Sequence, residues 1–322
     1  MTKIAIVVVH GVEISDATFA DTTIARLTEL FARETGLRAS QARAALAFRP
    51  VHWAPVFEKR EVALLRALYP RGRTPFRALR RLVEKVNTGS KWWLLPFLAF
   101  ASRNSDQGLK YPSWRWLLTH FVGDIIAYQR TPERSTDYDA VHDLYERALQ
   151  ELALEAGKTA PLCVLAHSFG SIISSDFFYD LQRPGPSARP SPLERGETLC
   201  NFFTMGSPMA LWALRYPQAA LDSPIRVPHP KLLEHQRGLR GVGSWINFYD
   251  DDDVLGTPLR ALSEAYQLAV AEDIAVRIGG PLFSTQPLVH PFYWSDDSVL
   301  GPIASRLARV WRGLDAAKAA VA

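Results

Sequence analysis

The feature that most constrains this chain is the apolar run Leu162-Cys163-Val164-Leu165-Ala166. It meets His167-Ser168-Phe169-Gly170 and passes directly into Ser171-Ile172-Ile173. A short apolar run that breaks at a serine and resumes with helical spacing predicts a sharp strand-to-helix turn with Ser168 at its apex. Strand and helix can approach that closely only if the residues two before and two after the apex are small. Those residues are Ala166 and Gly170.

A second run, Ile4-Ala5-Ile6-Val7-Val8-Val9, is short, β-branched and uniformly apolar, as expected of a parallel strand buried on both faces. It ends in His10-Gly11-Val12. Further strands are expected at 46–54, 161–166, 199–205, 243–249 and 273–278. Helices are expected at 18–35, 116–130, 136–156, 169–182, 258–270 and 299–317. Strands alternating with helices predict an α/β fold, a mostly parallel sheet flanked by helices. The 322 residues, 48% of them hydrophobic, can bury a sizeable core and suit a single domain over 1–322 with an insertion. No internal repeat is evident.

On the Ala-His-Ser-Phe-Gly turn and the His-Gly pair after the first strand, the chain resembles the α/β-hydrolase family. The common form of the turn has glycine at both flanking positions, so Ala166 is a departure, one that some small bacterial lipases share. The resemblance implies a nucleophilic serine, Ser168, and an oxyanion hole made by the backbone N–H groups of Val12 and Phe169. His10 then shapes the loop and is not the base. The family also implies the chain order serine, acid, histidine.

A serine nucleophile needs a base, and the base needs a carboxylate to fix its tautomer. Trp245-Ile246-Asn247-Phe248-Tyr249 reads as a core strand and runs into Asp250-Asp251-Asp252-Asp253-Val254-Leu255. Four adjacent acids cannot all be buried, so most must face water. In lipases of this kind the acid precedes any residue and then an aliphatic one, which selects Asp252, with Asp253 and Asp250 as the alternates. The run lacks the ligand spacing of a calcium loop.

Of the eight histidines, only His290 follows the acidic cluster. It stands in Pro287-Leu288-Val289-His290-Pro291-Phe292-Tyr293-Trp294, after the expected last strand and before a terminal helix. Its His-x-x-Tyr-Trp string resembles bacterial lipase-like hydrolases and, more distantly, DDHD-type phospholipases. His167 is disfavoured as the base because neighbours in such a turn point apart. Phe202-Phe203-Thr204-Met205-Gly206-Ser207-Pro208 resembles the Gly-Ser-Pro turn of lipases, where Ser207 is a turn former. Asp124 is expected to be structural.

The segment 56–115 exceeds the minimal sheet-and-helix plan and is expected to be a cap or lid. It holds two helix-like pieces, Glu61–Tyr69 and Phe76–Val86, and then the apolar stretch around Trp92, Trp93 and Phe97, which are candidate substrate or lid residues. From Lys59 to Lys85 it carries nine Lys or Arg against Glu61 and Glu84. Such charge forms a solvated helix face or meets anionic headgroups, so peripheral membrane contact through 59–101 is one reading. No run approaches the roughly 20 apolar residues of a membrane span. The N-terminus carries no secretory signal pattern, and the expected location is cytoplasmic. Cys163 and Cys200 both fall in expected core strands, which fits reduced thiols. No metal or cofactor is expected. A net charge of +4 without a nucleic-acid-binding motif argues against that class of partner.

The expected function is hydrolysis of carboxylic esters, small-molecule or lipid, through an acyl-enzyme. A non-catalytic lipid-binding pseudohydrolase is the rival. Thioester hydrolysis, amide hydrolysis and acyl transfer use the same three side chains and stay open.

Overall fold

The computed structural model describes residues 3–12, 17–68, 122–129, 136–185, 188–215, 222–279 and 289–319. Phe76–Val86 and Trp92, Trp93 and Phe97 of the expected lid lie outside the described residues. The expected insertion at 56–115 is therefore seen only over its first turns.

Six strands form one all-parallel sheet: β1 (Ile4–Val9), β2 (Leu46–Val51), β3 (Leu162–His167), β4 (Leu199–Met205), β5 (Ser244–Tyr249) and β6 (Val270–Ala275), in the order β2-β1-β3-β4-β5-β6. Every residue of β1, β3 and β4 is buried, which is why these segments read as mainly apolar runs in place of alternating ones; Asn201 and Thr204 of β4 are buried with side-chain hydrogen bonds. Cys163 and Cys200 are free and buried within β3 and β4.

The α-helices are α1 (Asp21–Thr35), α2 (Ala39–Ala45), α3 (Pro55–Leu68), α4 (Thr136–Ala156), α5 (Phe169–Gln182), α6 (Met209–Ala213), α7 (Leu232–His235), α8 (Glu264–Ala269) and α9 (Asp297–Ala319), with a further helical stretch at 122–127. In α1 the buried residues Thr23, Leu27 and Phe31 recur every fourth position. This is the stripe that a helix needs to cover a sheet. Phe31 meets Trp311 of α9 edge-on, with ring centroids 6.4 Å apart.

From β1 the chain steps outward to β2, whereas from β3 it steps the opposite way to β4. Right-handed crossovers therefore put α1 and α5 on opposite faces. The order reverses between β1 and β3, and loops leaving the carboxyl ends of two such strands diverge and open a crevice. Gly11 follows one of these strands and Ser168 the other.

The last strand lies earlier than the expected 273–278. Val270–Ala275 pairs with β5 from Trp245↔Val270 to Tyr249↔Ala275. An edge strand tolerates Glu272 and Asp273 in its middle, so the mainly apolar stretch Ile274–Ile278 marked only its end. The expected helix 258–270 is likewise reduced to Glu264–Ala269, because the Asp273 carboxylate captures the backbone N–H groups of Leu259 and Arg260 at 2.9–3.1 Å.

The chain divides into two compact units, one of residues 1–11, 20–51 and 145–322 and one of 12–19 and 52–144. In the second, Trp53 packs edge-on against Phe57. Tyr138 lies against the His142 ring, whose Nε2 is 3.0 Å from the Tyr128 hydroxyl. Asp124 is buried and hydrogen-bonds Glu61, whose carboxyl is pushed up to about 7 chiefly by burial. No described helix is long and apolar enough to cross a membrane.

Candidate active site

Ser168 has φ 53° and ψ −130° and is the one non-glycine with positive φ among the described residues. An L-residue held there costs about 1–3 kcal/mol and persists only where its surroundings over-determine it. Here they do. The Ser168 N–H extends the β3–β4 ladder to Met205 O at 2.9 Å, and its carbonyl accepts from both the N–H and the hydroxyl of Ser171. A Cβ on Gly170 would lie 2.4 Å from the His10 carbonyl oxygen and 2.7 Å from that of Val9. The smallness expected at that position is thus a requirement of backbone meeting backbone. Gly11 is equally close on the other side, its Cβ position being 2.6 Å from Ser168 Cβ. Phe169 opens α5, and the first N–H groups of a helix point out of its N-terminus. Val12 follows Gly11. His10 is fully buried, with its Nδ1 at the Gly11 carbonyl.

The acidic run resolves into three different environments. Asp253 N–H donates to Asp250 O at 3.0 Å, closing a turn that has Asp251 and Asp252 as its two central residues, both exposed. The first and last acids face inward. Asp250 is an organiser, with Oδ1 accepting from Asp252 N–H at 2.9 Å and Oδ2 from Ile278 N–H at 2.8 Å. Asp253 is the acid that meets the histidine: its Oδ2 accepts from His290 Nδ1–H at 2.8 Å and its Oδ1 from Leu255 N–H at 3.0 Å. The expected Asp252 is therefore corrected to its neighbour. The spacing to Val254 misled because Val254 is itself 68% exposed and anchors nothing in the core. Burial pushes the Asp253 carboxyl up. The hydrogen bond from His290 and its charge, with the bonds from Leu255 and Tyr293, outweigh burial and leave it below its ordinary value.

His290 opens the single-turn helix His290–Trp294. With the proton on Nδ1, directed at Asp253, Nε2 is a bare lone pair. That nitrogen is buried and has no hydrogen-bond partner among the described residues. Gly206, at φ 55°, makes room for the ring, because a Cβ there would lie 3.0 Å from His290 Cε1 and 2.6 Å from Tyr293 Cε2. Ser168 and His290 are thus gathered around the ends of β3 and β4, where Met205 holds the Ser168 N–H and Gly206 faces the imidazole.

Two residues with no expected role in the site prove central to it. His167 lies beside His290, ring centroids 4.7 Å apart, and its Nε2–H donates to the His290 carbonyl at 2.8 Å. Burial pushes the His167 imidazole down to about 3, and the charge of His290 adds to this, so it stays neutral. It anchors His290 through the backbone. Tyr293 is fully buried; its hydroxyl accepts from Asp250 N–H at 2.8 Å and donates to Asp253 Oδ2 at 3.0 Å. The His-x-x-Tyr spacing was the available signal for Tyr293, since three residues make one turn of a 3₁₀ helix and stack the two side chains. Ser207 is buried and shares a 2.6 Å hydrogen bond with Ser171, as a turn former would. Among the described residues, no group of three or more His, Cys, Asp or Glu could hold a metal ion. No protein-family model matches the sequence, and no curated protein is significantly similar to it.

Proposed function

We propose that this protein is a serine hydrolase of carboxylic esters, built on the α/β-hydrolase plan, with Ser168 as nucleophile, His290 as base and Asp253 as the acid that orients it. The observation that carries the reading is the strained backbone of Ser168 at the sheet's switch point, together with a histidine whose Nδ1 is committed to a buried carboxylate. Strain of this kind at a serine has no packing purpose of its own.

Ser168 Oγ attacks the ester carbonyl carbon while its proton passes to His290 Nε2. Asp253 stabilises the imidazolium through Nδ1–H, and the developing oxyanion is met by the N–H groups of Val12 and Phe169. The C–O bond to the alcohol then breaks, and the alcohol leaves with the proton from His290. Water repeats the sequence on the acyl-enzyme, releasing the carboxylic acid and restoring Ser168. An apolar acyl group, covered by the 56–115 segment as a lid, is the substrate class that the sequence of that segment favours. Peripheral membrane contact through 59–101 belongs to the same proposal.

Labelling with a fluorophosphonate followed by peptide mapping tests it. Modification is expected at Ser168, with none in Ser168→Ala. Absence of labelling and of ester turnover in the folded wild type would leave a pseudohydrolase, and labelling at Ser171 or Ser207 would remove the assignment.

A further inference from the structure

Asp253 Oδ2 takes two hydrogen bonds, from His290 Nδ1–H at 2.8 Å and from the Tyr293 hydroxyl at 3.0 Å. The Tyr293 oxygen is itself pinned by Asp250 N–H at 2.8 Å, and that acceptor role aims the phenolic hydrogen away from Asp250 N–H and at the carboxylate. The chain Asp250 N–H, Tyr293 O–H, Asp253 Oδ2, His290 Nδ1–H is continuous, and each residue in it is buried or nearly so. Burial raises the Tyr293 phenol far above its ordinary value, and the Asp253 charge adds to this, so the hydroxyl remains a donor.

We propose that Tyr293 is a positioning residue that sets the basicity of His290, by competing with the imidazole for the single carboxylate oxygen that both of them use. This rests on His290 acting as the base. A carboxylate that already accepts a hydrogen bond has less charge to offer a second donor, so the phenol weakens the pull of Asp253 on the imidazolium. It also fixes the carboxylate plane. Among the described residues, the charged and titratable groups facing His290 are Asp253 from the loop after β5, with Asp250 behind it, His167 from β3 and Tyr293 from its own turn. His167 is held neutral by burial, so Tyr293 is the group left to modulate the pair.

The test is an NMR titration of the His290 ring in the full chain carrying Ser168→Ala, which needs no turnover, together with kcat/KM against pH in the active protein. Tyr293→Phe keeps the ring and removes the hydroxyl. The titration midpoint of His290 and the acid limb of kcat/KM should both move up by about half to one pH unit, with KM unchanged because the phenol does not touch substrate. Placing 3-fluorotyrosine at 293 keeps the shape and strengthens the donor, and should move both midpoints down. Opposite shifts from the two variants support the proposal, since a space-filling role would give neither. Unmoved midpoints, with only a lower Tm for Tyr293→Phe, would overturn it. If Tyr293→Phe fails to fold, the fluorotyrosine protein decides alone. A shift seen by NMR in a protein without esterase activity would refute the hydrolase reading and leave the role of Tyr293 in the pair intact.

Discussion

Replacing Asp253 by asparagine sets one buried hydrogen-bond pattern against another. The wild-type carboxylate accepts three bonds, from Leu255 N–H on Oδ1 and from His290 Nδ1–H and Tyr293 O–H on Oδ2. An amide has one accepting end. If its oxygen stays on Leu255 N–H, its NH2 faces His290 and Tyr293, and the imidazole must present a bare Nδ1 and move its proton to Nε2. If the amide flips, its NH2 opposes the Leu255 N–H, and leaving a buried donor unpaired costs about 1–3 kcal/mol. The first arrangement in turn leaves the buried Tyr293 O–H without its acceptor, so each arrangement strands one donor, and whichever share of the protein takes the first has Nε2 blocked as a base. A wrong-tautomer asparagine in a serine-protease triad lowers kcat by about 10⁴, and a loss on the order of 10³ to 10⁴ is expected here. Asp252→Asn, at an exposed turn position whose carboxylate makes no bond to the site, should stay within about twofold, as surface substitutions usually do. Both variants are measured on a short-chain chromogenic ester, with circular dichroism to show that the fold holds. Activity of Asp253→Asn within tenfold of wild type, or an equal loss in Asp252→Asn, would refute the reasoning.

Gly170→Ala should destabilise by roughly 1–3 kcal/mol or more, because the added methyl meets two backbone oxygens that cannot swing away; a Tm unchanged in calorimetry would remove the close approach at the turn. The neutral, buried His167 predicts an acid-sensitive fold. Its folded pKa is about 3 against about 6.5 unfolded, so the unfolded state binds the extra proton and stability falls as pH drops from 6.5 towards 3. The slope is about 1.4 kcal/mol per pH unit from this group. His167→Gln, which can keep the donor to the His290 carbonyl, should flatten that slope in urea unfolding; an unaltered slope would count against it. Asp253, with its folded pKa lowered, adds stability above the ordinary carboxylate range that is lost as pH falls through its folded value. Denaturation of Asp253→Asn below about pH 4 should lack that component.

The parts legible in the sequence are those that local chemistry fixes. Helices α4 and α5 and strand β4 fall at the expected bounds, Thr136–Ala156, Phe169–Gln182 and Leu199–Met205, because a strongly periodic or mainly apolar segment permits little else. The edge strand β6 was misplaced because half-exposed polar residues at a sheet margin carry no periodic signal. His290 was reached by chain order, whereas His167 could be judged only as a candidate base, since its bond to a carbonyl 123 residues away leaves no trace in sequence.

The acidic run marks the boundary most clearly. By itself the sequence determined that an acid-rich loop follows a core strand, that it precedes a single downstream histidine, and that most of its carboxylates face water, since desolvating four adjacent charges is prohibitive. Which two turn inward, and which of these meets the histidine, was decided by the turn from Asp250 to Asp253 and by the packing of Gly206 and Tyr293 around its last residue. Four identical side chains differ only in the direction their backbone gives them, and that direction is set by hydrogen bonds to residues distant in sequence.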